Sequence, residues 1–156
     1  MNVALWLERH ARTDPDRTAV FAGASAWKSY GRLASDVASL ARGLREKLGL
    51  APGDRVALVM ANSPEYAEIL LAAWWAGLAC VPVNAKLHPR EVAFILEDSG
   101  ASAVFATPDW IAGLAEATAG LARAPDVIEA GSVGYDALFG EPTPASPVAD
   151  DALAWL

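Results

Sequence analysis

The sequence predicts an α/β fold: a parallel sheet with helices on both faces. Three observations carry this. Short apolar runs recur at residues 56–60, 78–83 and 101–106, each too short for a helix of ordinary length. Each run is followed by a helix-start signal and a periodic segment of roughly 10 to 20 residues, the pattern of βαβ units. The runs are apolar throughout and do not alternate with polar residues, as expected of strands covered on both sides.

The elements follow in order. Residues 3–12 read as a helix, with Val3, Leu5, Trp6 and Leu7 interleaved with charge, and Asp14-Pro15-Asp16 ends it. Residues 18–22 and 26–28 read as two short strands around Ala22-Gly23-Ala24, a hairpin. Ser29 stands at an N-cap, where its hydroxyl accepts from an early helix N–H. The helix predicted over 30–48 places Leu33, Val37, Leu40, Leu44 and Leu48 on one face, and Gly49 stops it. Residues 51–54 form a turn and 56–60 a buried strand. Asn62-Ser63-Pro64-Glu65 is a helix start: Ser63 caps, Pro64 takes the first helical position, and Glu65 meets the positive end of the dipole. The run Ile69-Leu70-Leu71-Ala72-Ala73-Trp74-Trp75 is apolar all round, and Gly77 ends that helix. Strands are predicted at 78–83, 101–106 and 126–130. Helices are predicted from Pro89 to about Asp98, from Thr107-Pro108-Asp109 onward, and as a turn at 135–139.

The chain thus divides into an α/β subdomain over 1–140, a linker over 141–150 holding Pro142, Pro144 and Pro147, and an apolar segment over 151–156 that reads as a strand beginning.

Composition narrows the function. Of 156 residues, 54% are hydrophobic and 20% charged, and the mean hydropathy is +0.25. Such a chain has either a large core or an apolar face that belongs against something else. The helix around residues 69–75 and the terminal Trp155-Leu156 are the candidates for that face, with the rest of the polypeptide or a second copy of the chain as its cover. The net charge is −7, from 12 basic and 19 acidic residues. The basic residues form no cluster, which argues against nucleic acid and anionic membrane surfaces as partners. The one cysteine, Cys80, lies in an apolar run and reads as core. The longest uncharged stretch, 69–85, contains Gly77 and Pro82 and falls short of the ~20 apolar residues of a membrane span. With no secretory pattern at the N-terminus, the expected compartment is the cytoplasm.

No P-loop or G-x-G-x-x-G occurs, the two histidines are far apart, and G-x-S-x-G is missing. His10 and Asp14 fit the H-x-x-x-D spacing of some acyltransferases. On an amphipathic helix ending at Asp14-Pro15 the pattern reads as ordinary surface. His88 before Pro89 reads as a helix cap.

Several segments in fixed order carry a family resemblance. Ser29-Tyr30-Gly31-Arg32-Leu33 matches a "T-Y-x-E-L" entry. Gly49 through Ala57 matches "G-V-x-x-G-D-R-V-A", and Asn62-Ser63-Pro64-Glu65 matches "N-S-x-E". Ala76 through Leu87 matches "A-G-A-V-x-V-P-L-N-P-x-L", and Glu91 through Ala101 matches "E-L-x-y-I-L-x-D-S-x-A". Asp150 through Leu156 is similar to a "D-D-x-A-x-L" run. Together these resemble the N-terminal portion of the adenylate-forming family: AMP-forming acyl-CoA synthetases, adenylation domains of peptide synthetases, and luciferases. Arg32 departs from the usual Glu and Ala85 from a common Pro.

The resemblance implies ATP-dependent activation of a carboxylic acid to an acyl-adenylate and transfer to CoA, with ATP, CoA and Mg2+ used by the full-length enzyme. It implies a Ser/Thr/Gly phosphate loop just past Leu156, so this piece alone is expected to be inactive and to bind none of these tightly, and no catalytic residue or metal ligand is assigned within it. One position carries an implied role. In some CoA ligases of the family a basic residue two after the Asn of "N-P-x-L" reaches the nucleotide phosphate of CoA. Lys86 matches that position, with Arg90 one helical turn on. The alternative is that both are solvated surface cations. Two other functions stay open: an adenylation domain that passes its acyl group to a carrier protein, and a non-catalytic interaction module.

Overall fold

A computed structural model describes residues 1–156. The elements are α1 (Leu5–Thr13), the hairpin β1 (Thr18–Ala22) and β2 (Ser25–Ser29), α2 (Tyr30–Glu46), β3 (Arg55–Val59), α3 (Pro64–Trp75), β4 (Ala79–Val83), α4 (Pro89–Ser99), β5 (Ala103–Ala106), a 3-10 turn at Pro108–Trp110 leading into α5 (Ile111–Thr118), β6 (Asp126–Glu129) and α6 (Val133–Asp136). Strands β4-β3-β5-β6 form one parallel sheet, and β1 and β2 a separate antiparallel pair. The α/β architecture with a parallel sheet stands as predicted.

Alternate residues of each central strand feed two cores. Val56, Leu58, Cys80 and Phe105 face a large cluster shared with α1, α2 and α3. Ala57, Val59, Val81 and Val104 face a smaller cluster with α4 and α5. Both faces of the sheet are therefore covered, which is why the strands read as unbroken apolar runs.

Local chemistry explains most boundaries. Ser29 accepts from the Arg32 amide at 3.3 Å. The Arg32 side chain, which cannot close a capping box, pairs instead with Asp36 at 2.8 Å. Gly49, at φ +67°, lets the Leu50 amide reach back to the Leu44 carbonyl at 3.1 Å and close α2. His88 caps α4: its Nδ1 accepts from the Arg90 amide at 3.3 Å while Glu91 accepts from the His88 amide at 2.8 Å. Gly100, at φ +59°, ends that helix.

The predicted Ser63 cap is corrected, and Thr107, at the start of a later predicted helix, does not cap it either. The Ser63 hydroxyl makes no hydrogen bond, because the Tyr66 amide it was expected to meet bonds to the Ser63 carbonyl at 3.1 Å. The Thr107 hydroxyl accepts from the Ala61 amide at 3.1 Å and so ties β5 to the loop after β3. The last short helix also shifts, to Val133–Asp136, with Ser132 accepting from the Tyr135 amide at 3.1 Å.

The expected exposed face is corrected as well. Helix α3 is central: Ile69, Ala72 and Ala73 are fully buried between the sheet and α2. Residues 143–146 also run over it, with the Trp75 indole donating to the Thr143 carbonyl at 2.7 Å and the Ser146 amide to the Trp75 carbonyl at 2.8 Å. Buried Asn2 donates to the Trp74 and Ser146 carbonyls at 2.7 and 3.0 Å, drawing the N-terminus into the same clasp. Much of the apolar content is core. Leu70, Leu71 and Trp74 are half-buried, and the terminal residues are exposed, Trp155 at 57% and Leu156 at 62%.

Candidate functional site

The loops after parallel strands gather at the carboxyl edge of the sheet. After β3 the chain turns to α3 on one face, while after β4 and β5 it turns to α4 and α5 on the other. Where neighbouring strands send their connections to opposite faces, a crevice opens, and open α/β sheets bind ligands there. This chain has such a crevice, of about 550 Å³, walled by Asn62, Tyr66, Pro82, Asn84, Lys86 and Asp109.

The sequence between β4 and α4 is folded to hold Lys86 at its rim. The Asn84 side chain accepts from the Lys86 amide at 2.9 Å, and the Asn84 carbonyl accepts from the Leu87 amide at 3.1 Å. Lys86 is exposed and forms no ion pair; the chain's six ion pairs all lie elsewhere. Asp109 shares the crevice and is likewise unpaired. Burial, reinforced by the nearby Cys80, raises the Tyr66 phenol above its usual range, so it stays a neutral donor at physiological pH. An unpaired ammonium among amides and a phenol, on a loop held by its own backbone, suits part of an anionic ligand.

Beyond β4, Trp155 forms a parallel bridge with Cys80: the Cys80 amide donates to the Ala154 carbonyl and the Leu156 amide to the Cys80 carbonyl, each at 2.9 Å. The next donor on that edge would come from position 82, at the crevice wall, where proline has none.

Of the two implied phosphate contacts, Lys86 lines this crevice and Arg90 does not. Arg90 stands exposed on α4 beside Leu87, Glu91, Phe94 and Ile95. The structure therefore does not bring the two cations into one pocket. No group of three or more His, Cys, Asp or Glu residues is placed to hold a metal ion. Cys80 is core: burial pushes its thiol up to about 12, which leaves it protonated and poorly nucleophilic at neutral pH.

A second polar cluster went unread in the sequence. Glu68, 1% exposed, accepts from the Tyr135 hydroxyl at 2.6 Å and from the Lys28 ammonium. Lys28 also meets Asp36 at 2.8 Å, and Asp36 meets Arg32. Burial and then the Glu68 charge push the Tyr135 phenol far above its ordinary range. The signal was there: Glu68 is a lone charge in an otherwise apolar stretch of α3. Its partners lie 40 and 67 residues away, beyond local pattern reading. Each member is satisfied by another, so the cluster locks the hairpin, α2, α3 and α6 together.

The model of the family described as AMP-binding enzyme matches residues 7–153. The chain belongs to that family. Among curated relatives, a feruloyl-CoA synthase of Amycolatopsis sp. is 44% identical over 121 residues, covering 77% of this chain and 24% of that protein. A long-chain-fatty-acid–CoA ligase of Mycobacterium tuberculosis is 49% identical over 57 residues, covering 36% of this chain and 11% of that protein. The N-terminal domain of FACL13 from Mycobacterium tuberculosis superposes with a TM-score of 0.84 at 29% identity, over 99% of this chain and 41% of that one. A benzoate CoA ligase from Burkholderia xenovorans LB400 superposes at 0.89 with 25% identity, over 99% of this chain and 32% of that one. The chain thus matches the N-terminal portion of acid–CoA ligases and spans about a quarter of the length of the curated relatives it matches over most of its length. No helix is long and apolar enough to cross a membrane.

Proposed function

We propose that residues 1–156 form the N-terminal part of an acid–CoA ligase acting in the cytoplasm. In that reaction a carboxylate oxygen attacks the α-phosphate of ATP, pyrophosphate leaves, and an acyl-adenylate forms. The CoA thiol then attacks the acyl carbonyl and AMP leaves. Charge stabilisation on the phosphates dominates the first step. Nothing in this chain resembles a phosphate loop, so that work falls to residues beyond 156, which pack on the exposed Trp155-Leu156 end. Mg2+, the usual escort of ATP phosphates, would be held there too, since residues 1–156 offer no ligand cluster for it. The chain alone is inactive on this reading.

The observation that carries the proposal is the carboxyl-edge crevice with an unpaired Lys86 on a tied-down loop, in a chain of this family. Lys86 contacts a nucleotide phosphate of CoA, and Arg90, outside the crevice, adds to the positive field on the approach. The relatives' names make ferulate the first acid to assay, with long-chain fatty acids and benzoate beside it.

The test is Lys86→Ala in the full-length ligase. A lost charge-assisted contact raises the apparent KM for CoA about tenfold, while acid-dependent ATP–pyrophosphate exchange stays unchanged. Identical CoA kinetics in variant and parent would remove Lys86 from the site. Transfer to a carrier protein in place of CoA would favour the adenylation-domain reading.

A further inference from the structure

We infer that Trp110 is a positioning residue for the Lys86 loop, a strut running from the 3-10 turn before α5 to the crevice rim. The inference rests on the reading of Lys86 above. Three observations carry it. The Trp110 indole Nε1 donates to the Ala85 carbonyl at 2.8 Å, one residue before Lys86 and 25 residues away in sequence. The indole is largely buried among the apolar side chains between the sheet, α4 and α5. Gly113 on α5 seats the ring: a β-carbon there would lie 3.0 and 3.1 Å from Trp110 Cε3 and Cζ3.

The geometry explains why a tryptophan stands there. The Ala85 carbonyl faces no strand partner, because β4 has ended at Val83. Only a long side chain with one donor at its tip spans from the 3-10 turn after β5 to that carbonyl while its ring fills the core. With the Asn84 turn holding the next amide, the loop is pinned on both sides of the Ala85–Lys86 peptide. Asp109, the neighbour of Trp110, lines the same crevice, so one turn supplies a wall residue and the strut. A loop fixed before binding loses less freedom when an anion arrives, which favours affinity without new contacts.

The experiment has two readouts. In the 156-residue chain, Trp110→Phe keeps an apolar ring and removes the donor. Amide hydrogen exchange at Lys86 and Leu87 is expected to rise about fivefold, the effect of one ordinary hydrogen bond, with exchange in β3 and β5 unchanged. In the full-length ligase the same variant is expected to raise the KM for CoA severalfold and leave kcat and pyrophosphate exchange unchanged, a split that general destabilisation would not give. Unchanged exchange at Lys86 overturns the strut. A loosened loop with unchanged CoA KM in both Trp110→Phe and Lys86→Ala overturns the CoA reading and with it any kinetic role for Trp110. An altered KM in Lys86→Ala alone overturns Trp110 and spares Lys86. Should the phenylalanine variant fail to fold, the wild-type chain decides. A slowly exchanging Trp110 indole proton with a through-bond coupling to the Ala85 carbonyl carbon supports the strut. Rapid exchange without coupling overturns it.

Discussion

Lys28→Met is expected to destabilise the chain by about 3–5 kcal/mol, one of the two largest effects predicted for a single substitution. Glu68 is 1% exposed, and Lys28 is its only cationic partner. Methionine fills a similar volume but leaves the carboxylate buried with the Tyr135 hydroxyl as its one remaining donor. Asp36 loses a partner too, although it keeps Arg32. Urea denaturation checks this: the midpoint falls while the slope stays constant, because the folded surface is unchanged. The double variant Lys28→Met, Glu68→Gln recovers most of the loss, since a neutral amide still accepts from Tyr135 and no charge is stranded. Added salt does not restore the single variant, as screening acts on exposed charges far more than on this one. A loss below 1 kcal/mol would mean that water reaches Glu68 and the cluster is not a lock.

Gly43→Ala is expected to cost about 3 kcal/mol, the upper end of overpacking in a buried site. Gly43 lies on the buried face of α2, and a β-carbon there would sit 1.9 Å from the Leu138 carbonyl oxygen and 2.7 Å from its carbon. Both are backbone atoms, so no rotamer change relieves the clash. The segment after α6 must lift from α2. That movement strains the Lys47 ammonium bonds to the Ala137 and Phe139 carbonyls and the Ser39–Gly140 contacts. Gly120→Ala is the control. Nothing lies within 4 Å of its added carbon, and thermal melts should leave it near wild type.

Much of this fold was legible because its strands are buried on both sides. The runs at β3, β4 and β5 could be seen without knowing their partners, and the order of caps and glycines fixed the helices between them. Strand ends were less legible. Ala101 and Ser102 look like strand, yet β5 starts at Ala103, because Gly100 must first turn the chain; the Ser102 amide already makes the first bond toward β3, to the Arg55 carbonyl. Ser63 and Thr107 are of the right type for caps, but whether a hydroxyl meets its own helix or a distant amide is decided by tertiary placement. The site divides in the same way. Asn84, Ala85 and Lys86 are contiguous and could be read from sequence. Asn62, Tyr66 and Asp109 reach the crevice, and Trp110 the Ala85 carbonyl at its rim, only through the order β4-β3-β5. The exposed-face expectation failed for α3 because hydrophobicity alone does not reveal which neighbours cover a helix.

The central claim is that this chain serves ATP-dependent activation of a carboxylic acid. The most direct test is ATP–pyrophosphate exchange by the full-length polypeptide, with and without added carboxylic acid and before any CoA is supplied. The account predicts exchange that depends on the acid, is unaffected by Lys86→Ala, and is absent from residues 1–156 alone. Exchange independent of any acid, or acid-dependent exchange by the 156-residue chain on its own, would contradict it.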